Sequence, residues 1–337
     1  MKLAVSVGCP SGIGPEVSVV AAAQSTDAVL LVGDVDVIAR ALAGRKIAAR
    51  NFEAVDEPRF ERGRVLVWQP TTTTLAPRDR TLGKPSRAGG AAQLAWIDAA
   101  CDLVSSGAAD ALVTGPVSKD AIASSAALTH DETARQFLGH TEHLQRRLHA
   151  KEVVMAFASE TLTTALVTTH LPIRSVPRAI TAQSVATATF WLGDFFARTK
   201  KRSRSSARIA VASLNPHAGE HGRIGDEETR IAAGIALARK RLGRRRVRLA
   251  GPIPAETAFR LAARGEWDGV VAMYHDQATI PMKLLGFGDA VNVTLGLPIV
   301  RTSVDHGTAY DRAPRFDADA SGMIAAMALA SRLSKAR

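Results

Sequence analysis

"DGVVAMYHDQATIPMK", residues 268–283, indicates the fold most directly. Its apolar run GVVAM is typical of a buried strand in a parallel sheet, and polar residues follow the run at once. Open α/β sheets bind ligands at the carboxyl ends of such strands, so His275 and Asp276 would lie at a binding edge. On this stretch alone, a turn whose His and Asp side chains bond only to backbone is the simpler interpretation.

The same pattern recurs along the whole chain. Eight further β-rich runs are KLAVSV, AVLLVGD, RVLVWQP, DALVTGP, VVMAFAS, TTALVTTH, ARIAVASLNPH and RVRLAGP. The helix-like stretches between them include 88–106, 180–197, 227–242 and 319–334. This alternation predicts an α/β fold with a mainly parallel sheet and helices on its faces.

Length and composition limit the kinds of protein that this chain can be. A chain of 337 residues with 46% hydrophobic and 22% charged residues can bury the core of two domains. Its two cysteines, Cys9 and Cys101, have neither metal spacing nor a disulfide pattern. The start MKLAVSVGCPSGIGPE runs straight into a Gly/Pro turn, which favours neither a signal peptide nor a spanning helix. We therefore expect a cytoplasmic protein without a membrane partner.

The positive charge is local. The net charge is +11, yet the segments 198–208 and 239–248 carry six and seven basic residues and no acids. The rest of the chain is therefore slightly acidic. Such blocks are usually solvated, and these lack the interleaved aromatic residues that favour single-strand binding. Nucleic acid stays a minor alternative as a partner.

Three histidines end β-rich runs, namely His170, His217 and His275. A sheet could bring them to one edge, and three neutral imidazoles that leave open positions are a common plan for a catalytic divalent metal. Any one of them alone is more often a hydrogen-bonded structural residue. Their shared position makes the metal hypothesis as good as the structural one.

Two glycine-containing stretches could bind anions. GCPSGIGPE, residues 8–16, packs three glycines and two prolines between a strand and a helix, and a tight structural turn explains it as well as an anion cradle does. GHTEHL, residues 139–144, could place His140 and Thr141 at a helix N-terminus, where the helix dipole favours a phosphate or carboxylate. An ordinary threonine N-cap is the alternative.

Two later stretches combine special backbone with polar residues. NPHAGEHGRIGDEE, residues 215–228, surrounds His217 with glycine and proline, which indicates a loop held in special geometry or a long surface turn. The segment 290–311 mixes a buried strand with polar residues, which suggests a pocket wall. Those polar residues are Asn292, Arg301, Asp305 and His306.

Together these motifs resemble the 4-hydroxythreonine-4-phosphate dehydrogenase family, NAD-dependent enzymes of pyridoxal phosphate biosynthesis. The motifs SGIGPE, TGPVSK, GHTEHL, LVTTHLPI, LNPHAGEHGRIGDEE, YHDQATIPMK and VNVTLGLPIVRTSVDHGTAYD occur in the family's order over nearly the whole chain. The resemblance implies an isocitrate/isopropylmalate-dehydrogenase-like fold, with a sheet in two lobes and an active-site cleft between them. We expect residues 1–130 and 290–337 to form one lobe. Residues 131–289 would form the other, with the dimer interface and the metal ligands.

The resemblance also implies roles for particular residues. His170, His217 and His275 would bind one divalent metal ion, which could be Zn, Mg, Co or Mn. A phosphorylated substrate would contact His140, Thr141, Lys283, Asn292 and Arg301. The DHGTA stretch would bind NAD, or NADP, through Asp305, His306, Gly307 and Thr308. The resemblance further implies a homodimer with shared active sites.

The implied reaction is metal-assisted oxidation of 4-phosphohydroxy-L-threonine. Metal on the secondary hydroxyl would lower its pKa, a base would take the proton and hydride would pass to NAD. The product, 2-amino-3-oxo-4-phosphooxybutanoate, would lose carbon dioxide to give 3-amino-2-oxopropyl phosphate. Asp276 and Lys283 are both candidates for the catalytic base.

The chain departs from the family pattern at several positions. Cys9 and Ser11 replace the usual Asp and Ala, TGPVSK replaces the commoner TAPINK, and Pro314 stands where the family has Gly. The Gly usual after Gln277 is also missing. The alternatives are a dehydrogenase of threonate or erythronate 4-phosphate, a metal hydrolase that needs no NAD, and a phosphate acyltransferase on a related fold.

Overall fold

The computed structural model describes residues 1–70, 75–200, 205–286 and 290–336. In chain order the strands are β1 (Lys2–Ser6), β2 (Ala28–Val32), β3 (Phe52–Val55), β4 (Val65–Trp68), β5 (Ala111–Thr114), β6 (Val154–Ala158), β7 (Thr163–Leu166), β8 (Ala207–Ala212), β9 (Val247–Ile253), β10 (Gly269–Ala272), β11 (Val291–Leu295) and β12 (Arg301–Val304).

Helices lie between most of these strands. They are α1 (Gly14–Gln24), α2 (Val35–Gly44), α3 (Arg87–Ser105), α4 (Lys119–Thr129), α5 (Glu132–Arg135), α6 (His140–Arg147), α7 (Val176–Ala179), α8 (Ala182–Thr199), α9 (Glu227–Leu242), α10 (Ala255–Ala263), α11 (His275–Leu285) and α12 (Ser321–Lys335). No helix in the described part of the chain is long and apolar enough to cross a membrane.

The chain divides into two compact units. Met1–Lys151 together with Leu297–Lys335 forms the first unit, and Glu152–Gly296 forms the second. The predicted lobes instead separate at residues 130 and 290, which would place 131–151 in the second unit. That segment lies in the first unit because α6 is tied to α3: His143 Nε2 lies 2.6 Å from Asp98 Oδ1.

The first unit has a parallel sheet in the order β3-β4-β2-β1-β5-β12. All residues of β2 and β5 are buried, which is the pattern of strands covered on both faces. The helices α3 and α12 pack against β1 and β5. The carboxyl ends of β1, β5 and β12 consequently lie side by side at one edge of this sheet.

The second unit has a mixed sheet in the order β11-β6-β7-β10-β8-β9. β6 runs antiparallel to both β11 and β7, and the other pairs are parallel. Its core brings together Phe157, Leu166, Val270, Phe259 and Met282 from strands, α10 and α11.

The predicted α/β class and its mainly parallel sheet are confirmed. Each of the nine β-rich runs contains a strand, and the four predicted helical stretches correspond to α3, α8, α9 and α12. The strand β3 was missed because its sequence, FEAV, is short, partly polar and incompletely buried at the edge of the sheet.

Candidate active site

Three neighbouring strands of the second unit carry the predicted metal ligands beyond their ends. β10 lies between β7 and β8 and runs parallel to both, so their carboxyl ends share one edge of the sheet. His170 follows β7, His217 follows β8 and His275 follows β10. The expectation that a sheet would bring the three segments to one edge is therefore confirmed.

His170 and His275 contact each other. Their ring centroids are 5.5 Å apart, with an angle of 41° between the ring planes. The segments that carry them are tied just beyond the strands, because the Thr168 backbone N–H and hydroxyl both donate to the Met273 carbonyl, at 3.2 and 2.7 Å. This tie fixes the spacing of the two imidazoles.

Asp276 orients the ring of His275. Its Oδ1 lies 2.8 Å from His275 Nδ1, which leaves Nε2 as the nitrogen that can bind a ligand. A carboxylate on the second ring nitrogen is the usual support for a metal-binding histidine. The turn beneath them is held by Gln277, which accepts from Met273 N at 2.7 Å and donates to the Ser213 carbonyl at 2.9 Å. The sequence motif contains Gln277, but only the structure reveals this bridging role.

His217 lies on a left-handed turn. The five residues 217–221 all have φ between 42° and 76°, and His217 itself is exposed. Glu228 anchors the loop by accepting from Leu214 N at 3.1 Å and Asn215 N at 2.8 Å. A Cβ at Gly219 would lie 2.6 Å from Glu228 Oε2, so this position requires glycine. The predicted special loop geometry is confirmed.

These three histidines do not form a complete metal centre in the described residues. No group of three or more His, Cys, Asp or Glu side chains in this part of the chain is placed to hold a metal ion. His170 and His275 are together, and their imidazole donors suit Zn better than Mg or Mn. The role of His217 as third ligand stays a prediction.

His140, Thr141 and Arg301 lie in the first unit. α6 begins at His140, so the predicted position of His140 and Thr141 at a helix N-terminus is confirmed. Arg301 is the first residue of β12, is only 2% exposed, and donates from Nη2 to Thr114 Oγ1 at 2.6 Å. A cationic fork held in a fixed position suits a phosphate or carboxylate ligand.

Burial, and for His140 also nearby cations, determine the protonation states of His140 and Arg301. Desolvation, followed by Arg301, His143 and Lys119, holds the pKa of His140 well below its usual value, so its imidazole is neutral at pH 7. Desolvation lowers the pKa of Arg301 to about 9, which still leaves the guanidinium cationic at pH 7. His140 Nε2 is buried without a hydrogen-bond partner among the described residues. It can therefore bond to a ligand beside a positive charge.

Lys283 and Asn292 belong to the second unit. Lys283 is exposed on α11, seven residues after Asp276, so the two side chains lie on the same helix face about 10 Å apart along the axis. Asn292 lies on β11 opposite Phe157, and its buried Oδ1 has no partner among the described residues. That oxygen can accept a hydrogen bond from a ligand.

The stretch predicted to bind the cofactor follows β12. His306 and Gly307 are exposed, Asp305 and Thr308 are half-buried, and a Cβ built on Gly307 would meet open space. The Thr308 carbonyl accepts from Ile13 N at 3.0 Å, at the start of α1. An open loop at the carboxyl edge of a parallel sheet, next to a helix N-terminus, suits a dinucleotide.

Comparison with known proteins gives the family. The model of the family described as Pyridoxal phosphate biosynthetic protein PdxA matches residues 25–330. The 4-hydroxythreonine-4-phosphate dehydrogenase of Geobacter metallireducens is 38% identical over 345 aligned residues, which cover 100% of this chain and 96% of that protein. The chain belongs to the PdxA family.

Other relatives are also similar to this chain along its full length. The protein of the same name from Acidithiobacillus ferrooxidans is 39% identical over 340 residues, covering 100% of this chain and 97% of that one. The crystal structure of 4-hydroxythreonine-4-phosphate dehydrogenase from Klebsiella pneumoniae is 33% identical, with a TM-score of 0.83 and 99% coverage of both chains. The resemblance read from the sequence motifs is thereby confirmed.

Three of the departures from the PdxA pattern, Cys9, Ser11 and Pro314, lie in the first unit. Cys9 is buried, and desolvation raises its pKa. The Ser11 hydroxyl donates to the Lys84 carbonyl at 3.1 Å, and Pro314 lies in the short 3-10 helix Ala313–Arg315.

Some of the basic residues in the two blocks form ion pairs with nearby acids. Asp194 binds Arg198 at 2.7 Å and Arg245 at 3.1 Å, and Glu152 binds Arg241 at 2.5 Å. Residues 201–204 of the first block lie outside the described residues. These pairs favour the interpretation of the blocks as solvated surface.

Proposed function

We propose that this chain oxidises 4-phosphohydroxy-L-threonine to 2-amino-3-oxo-4-phosphooxybutanoate, with NAD or NADP as the hydride acceptor. The product then decarboxylates to 3-amino-2-oxopropyl phosphate, in pyridoxine 5'-phosphate biosynthesis. The observation that carries this proposal is full-length similarity to proteins named 4-hydroxythreonine-4-phosphate dehydrogenase. Unlike a shared fold, similarity of that extent includes the loops that carry function.

The buried group in the first unit supports binding of an anionic substrate. Arg301 supplies a fixed cation, and the neutral His140 supplies a ring nitrogen that no described residue uses. Thr141 lies beside them in the first turn of α6, where the helix dipole also favours negative charge. We propose that these residues hold the phosphate or carboxylate of the substrate.

In the second unit, two of the three predicted metal ligands, His170 and His275, already lie side by side. His170 and His275 would hold the ion, His217 would complete the ligand set, and Asp276 would keep His275 Nε2 available. When bound, the metal supplies Lewis-acid polarisation of the reacting hydroxyl, and NAD accepts the hydride. The loop Asp305–Thr308 would hold that cofactor.

Two side chains of α11 are proposed to assist the chemistry. The carboxylate of Asp276 is exposed and already accepts from His275, so it can take the proton of the substrate hydroxyl. The Lys283 ammonium can stabilise the negative charge that develops during decarboxylation. The amide oxygen of Asn292 can accept from the substrate's ammonium group.

We also propose a homodimer with shared active sites. Exposed apolar side chains follow each of the three predicted metal ligands within ten residues of the sequence. They are Leu171, Ile173, Ile224, Ile280, Leu284 and Leu285. A second copy of the chain would cover them. Cytoplasmic location stays a prediction.

Leu284→Asp is expected to convert the dimer into a monomer, because a carboxylate would have to be buried in the proposed interface. Leu284 is 81% exposed in the single chain, so the substitution should not impair folding. Sedimentation velocity would measure the change. Leu237→Asp is the matched control, since Leu237 is also an exposed helical leucine but lies on α9. A dimeric Leu284→Asp variant would contradict the proposed interface.

The substrate itself is tested by comparing initial rates on 4-hydroxythreonine 4-phosphate, threonate 4-phosphate and erythronate 4-phosphate. The two sugar acid phosphates carry a hydroxyl in place of the ammonium group, so the hydrogen bond that Asn292 would accept loses its charge. Exchanging a charged donor for a neutral one corresponds to a kcat/KM ratio of about fivefold or more in favour of hydroxythreonine phosphate. Faster turnover of either sugar acid phosphate would reassign the substrate and leave the reaction class in place.

A further inference from the structure

Two side chains of α6 clamp this helix to the end of α3. His143 Nε2 lies 2.6 Å from Asp98 Oδ1. One turn later, Arg147 binds Asp98 Oδ2 at 3.2 Å and Asp102 Oδ1 at 2.7 Å. The two acids are four residues apart on α3 and the two bases are four residues apart on α6, so each pair occupies one face of its helix. The clamp therefore fixes the position of α6 along α3.

The inner half of this clamp is buried. His143 is only 2% exposed, whereas the Arg147 side chain is 31% exposed. A carboxylate oxygen can only accept, so His143 Nε2 donates to Asp98. His143 Nδ1 is buried without a hydrogen-bond partner among the described residues. Within that part of the chain, the bond to Asp98 is therefore the one that orients the imidazole.

Phe137 connects this imidazole to that of His140. The centroid of the Phe137 ring lies 5.5 Å from that of His143 and 6.2 Å from that of His140, which it meets edge to face. Phe137 is itself only 4% exposed. Close-packed interiors transmit small displacements, so a shift of His143 would also move the rings of Phe137 and His140.

The first turn of α6 depends on such tertiary contacts. The helix has only eight residues, and its N-cap residue is Gly139, which has no side chain to cap the first turn. A helix of this length is marginal without packing. His140 Nε2 is the buried nitrogen proposed to bond to the anionic substrate, and hydrogen bonds weaken steeply when one partner tilts or moves. The position of this first turn therefore determines how well His140 binds.

We infer that His143 is a positioning residue for the anion-binding group of the first unit: its hydrogen bond to Asp98 fixes the first turn of α6 and, through Phe137, the ring of His140. This inference rests on the substrate-anion contacts proposed above. An anion contact is made alike in the ground state and in the transition state of hydride transfer. Loss of the Asp98–His143 bond should therefore raise KM for the substrate more than it lowers kcat.

The sharpest test compares His143→Met with His143→Gln in the full-length chain. Methionine and glutamine have side chains of the same length and similar helix propensity, but only the glutamine amide can donate to Asp98. With saturating NAD and metal, KM for 4-hydroxythreonine 4-phosphate should rise about tenfold in His143→Met. His143→Gln should restore KM to within about threefold of wild type, and kcat should stay within about twofold in both variants.

Arg147→Met is the matched control at the exposed half of the clamp. It removes the ion pairs with Asp98 and Asp102 and leaves the bond between Asp98 and His143 in place. Exposed ion pairs contribute little, so KM for the substrate should stay within about twofold of wild type. A merely structural role of His143 would lower the melting temperature of His143→Met and leave its KM as unchanged as that of Arg147→Met.

Phe137→Leu tests the second link of the path without altering His143. It removes the ring that meets both imidazoles and keeps an apolar side chain in the same place. Loss of these aromatic contacts should raise KM for the substrate about fivefold, again with kcat nearly unchanged. This variant decides the question if His143→Met does not fold, since an unchanged KM in folded Phe137→Leu would then overturn the inference.

Binding of inorganic phosphate, measured by calorimetry without NAD or metal, separates the inference from the proposed function. A Kd that rises in His143→Met and recovers in His143→Gln supports the inference, even if the wild type fails to oxidise 4-hydroxythreonine 4-phosphate. Equal Kd and KM in His143→Met and wild type, or equal losses in the two His143 variants, would overturn the inference alone. A folded wild type that binds no phosphate would overturn the anion contacts and the inference together.

Discussion

His217→Ala is expected to lower kcat by about a thousandfold while the protein stays folded. A metal that has lost one of three protein ligands no longer polarises the substrate hydroxyl effectively, and several kcal/mol of transition-state stabilisation go with it. His217 is exposed, so its truncation removes little packing. The measurement is kcat with saturating substrate, NAD and metal, accompanied by metal content per protomer, which should also fall.

The same left-handed turn provides a matched control for this variant. His221 is a second exposed histidine four residues later, with a φ of 59° close to the 52° of His217. His221→Ala alters the turn in a comparable way without touching a predicted metal ligand. We expect it to keep its metal and most of its activity. Full activity of His217→Ala would remove His217 from the metal site.

Arg301→Lys has the second largest expected effect. Lysine keeps the positive charge but cannot reproduce the planar fork by which Arg301 donates to Thr114 and would donate to a phosphate or carboxylate. Each hydrogen bond that a charged group loses costs about 1.5–3 kcal/mol, so KM for the phosphorylated substrate should rise about 10- to 100-fold. The Kd for NADH should not change.

The control for Arg301→Lys is Arg45, a half-buried arginine of the same unit. Arg45 bonds to Glu16 Oε1 at 3.0 Å and to the Phe316 carbonyl at 3.1 Å, and none of these three residues is a predicted ligand contact. Arg45→Lys should lower thermal stability without raising KM. An unchanged KM in a folded Arg301→Lys variant would show that the buried guanidinium has a structural role only.

The sequence predicted those parts of the fold that depend on local pattern. The nine β-rich runs follow from the spacing of apolar residues, and the start of α6 at His140 follows from the GHTEHL motif. The special backbone of 217–221 was also foreseen, because glycine and proline mark such loops.

What the sequence could not reveal depends on contacts between distant residues. The Cys9–Tyr310 contact joins positions 301 residues apart, and the pairing of Asp98 with His143 joins positions 45 apart. The bridging role of Gln277 requires that β8 and β10 be neighbours, which no single motif states. The contact between His170 and His275 likewise depends on the pairing of β7 with β10.

The most direct test of the central claim is NADH formation from 4-hydroxythreonine 4-phosphate and NAD, measured by absorbance before chelation, after chelation and after a divalent metal is restored. The account predicts NADH production that chelation abolishes and added metal recovers. NADH production that is insensitive to thorough chelation would contradict the histidine metal site. No NADH from a folded, metal-loaded dimer with this substrate would contradict the proposed reaction itself.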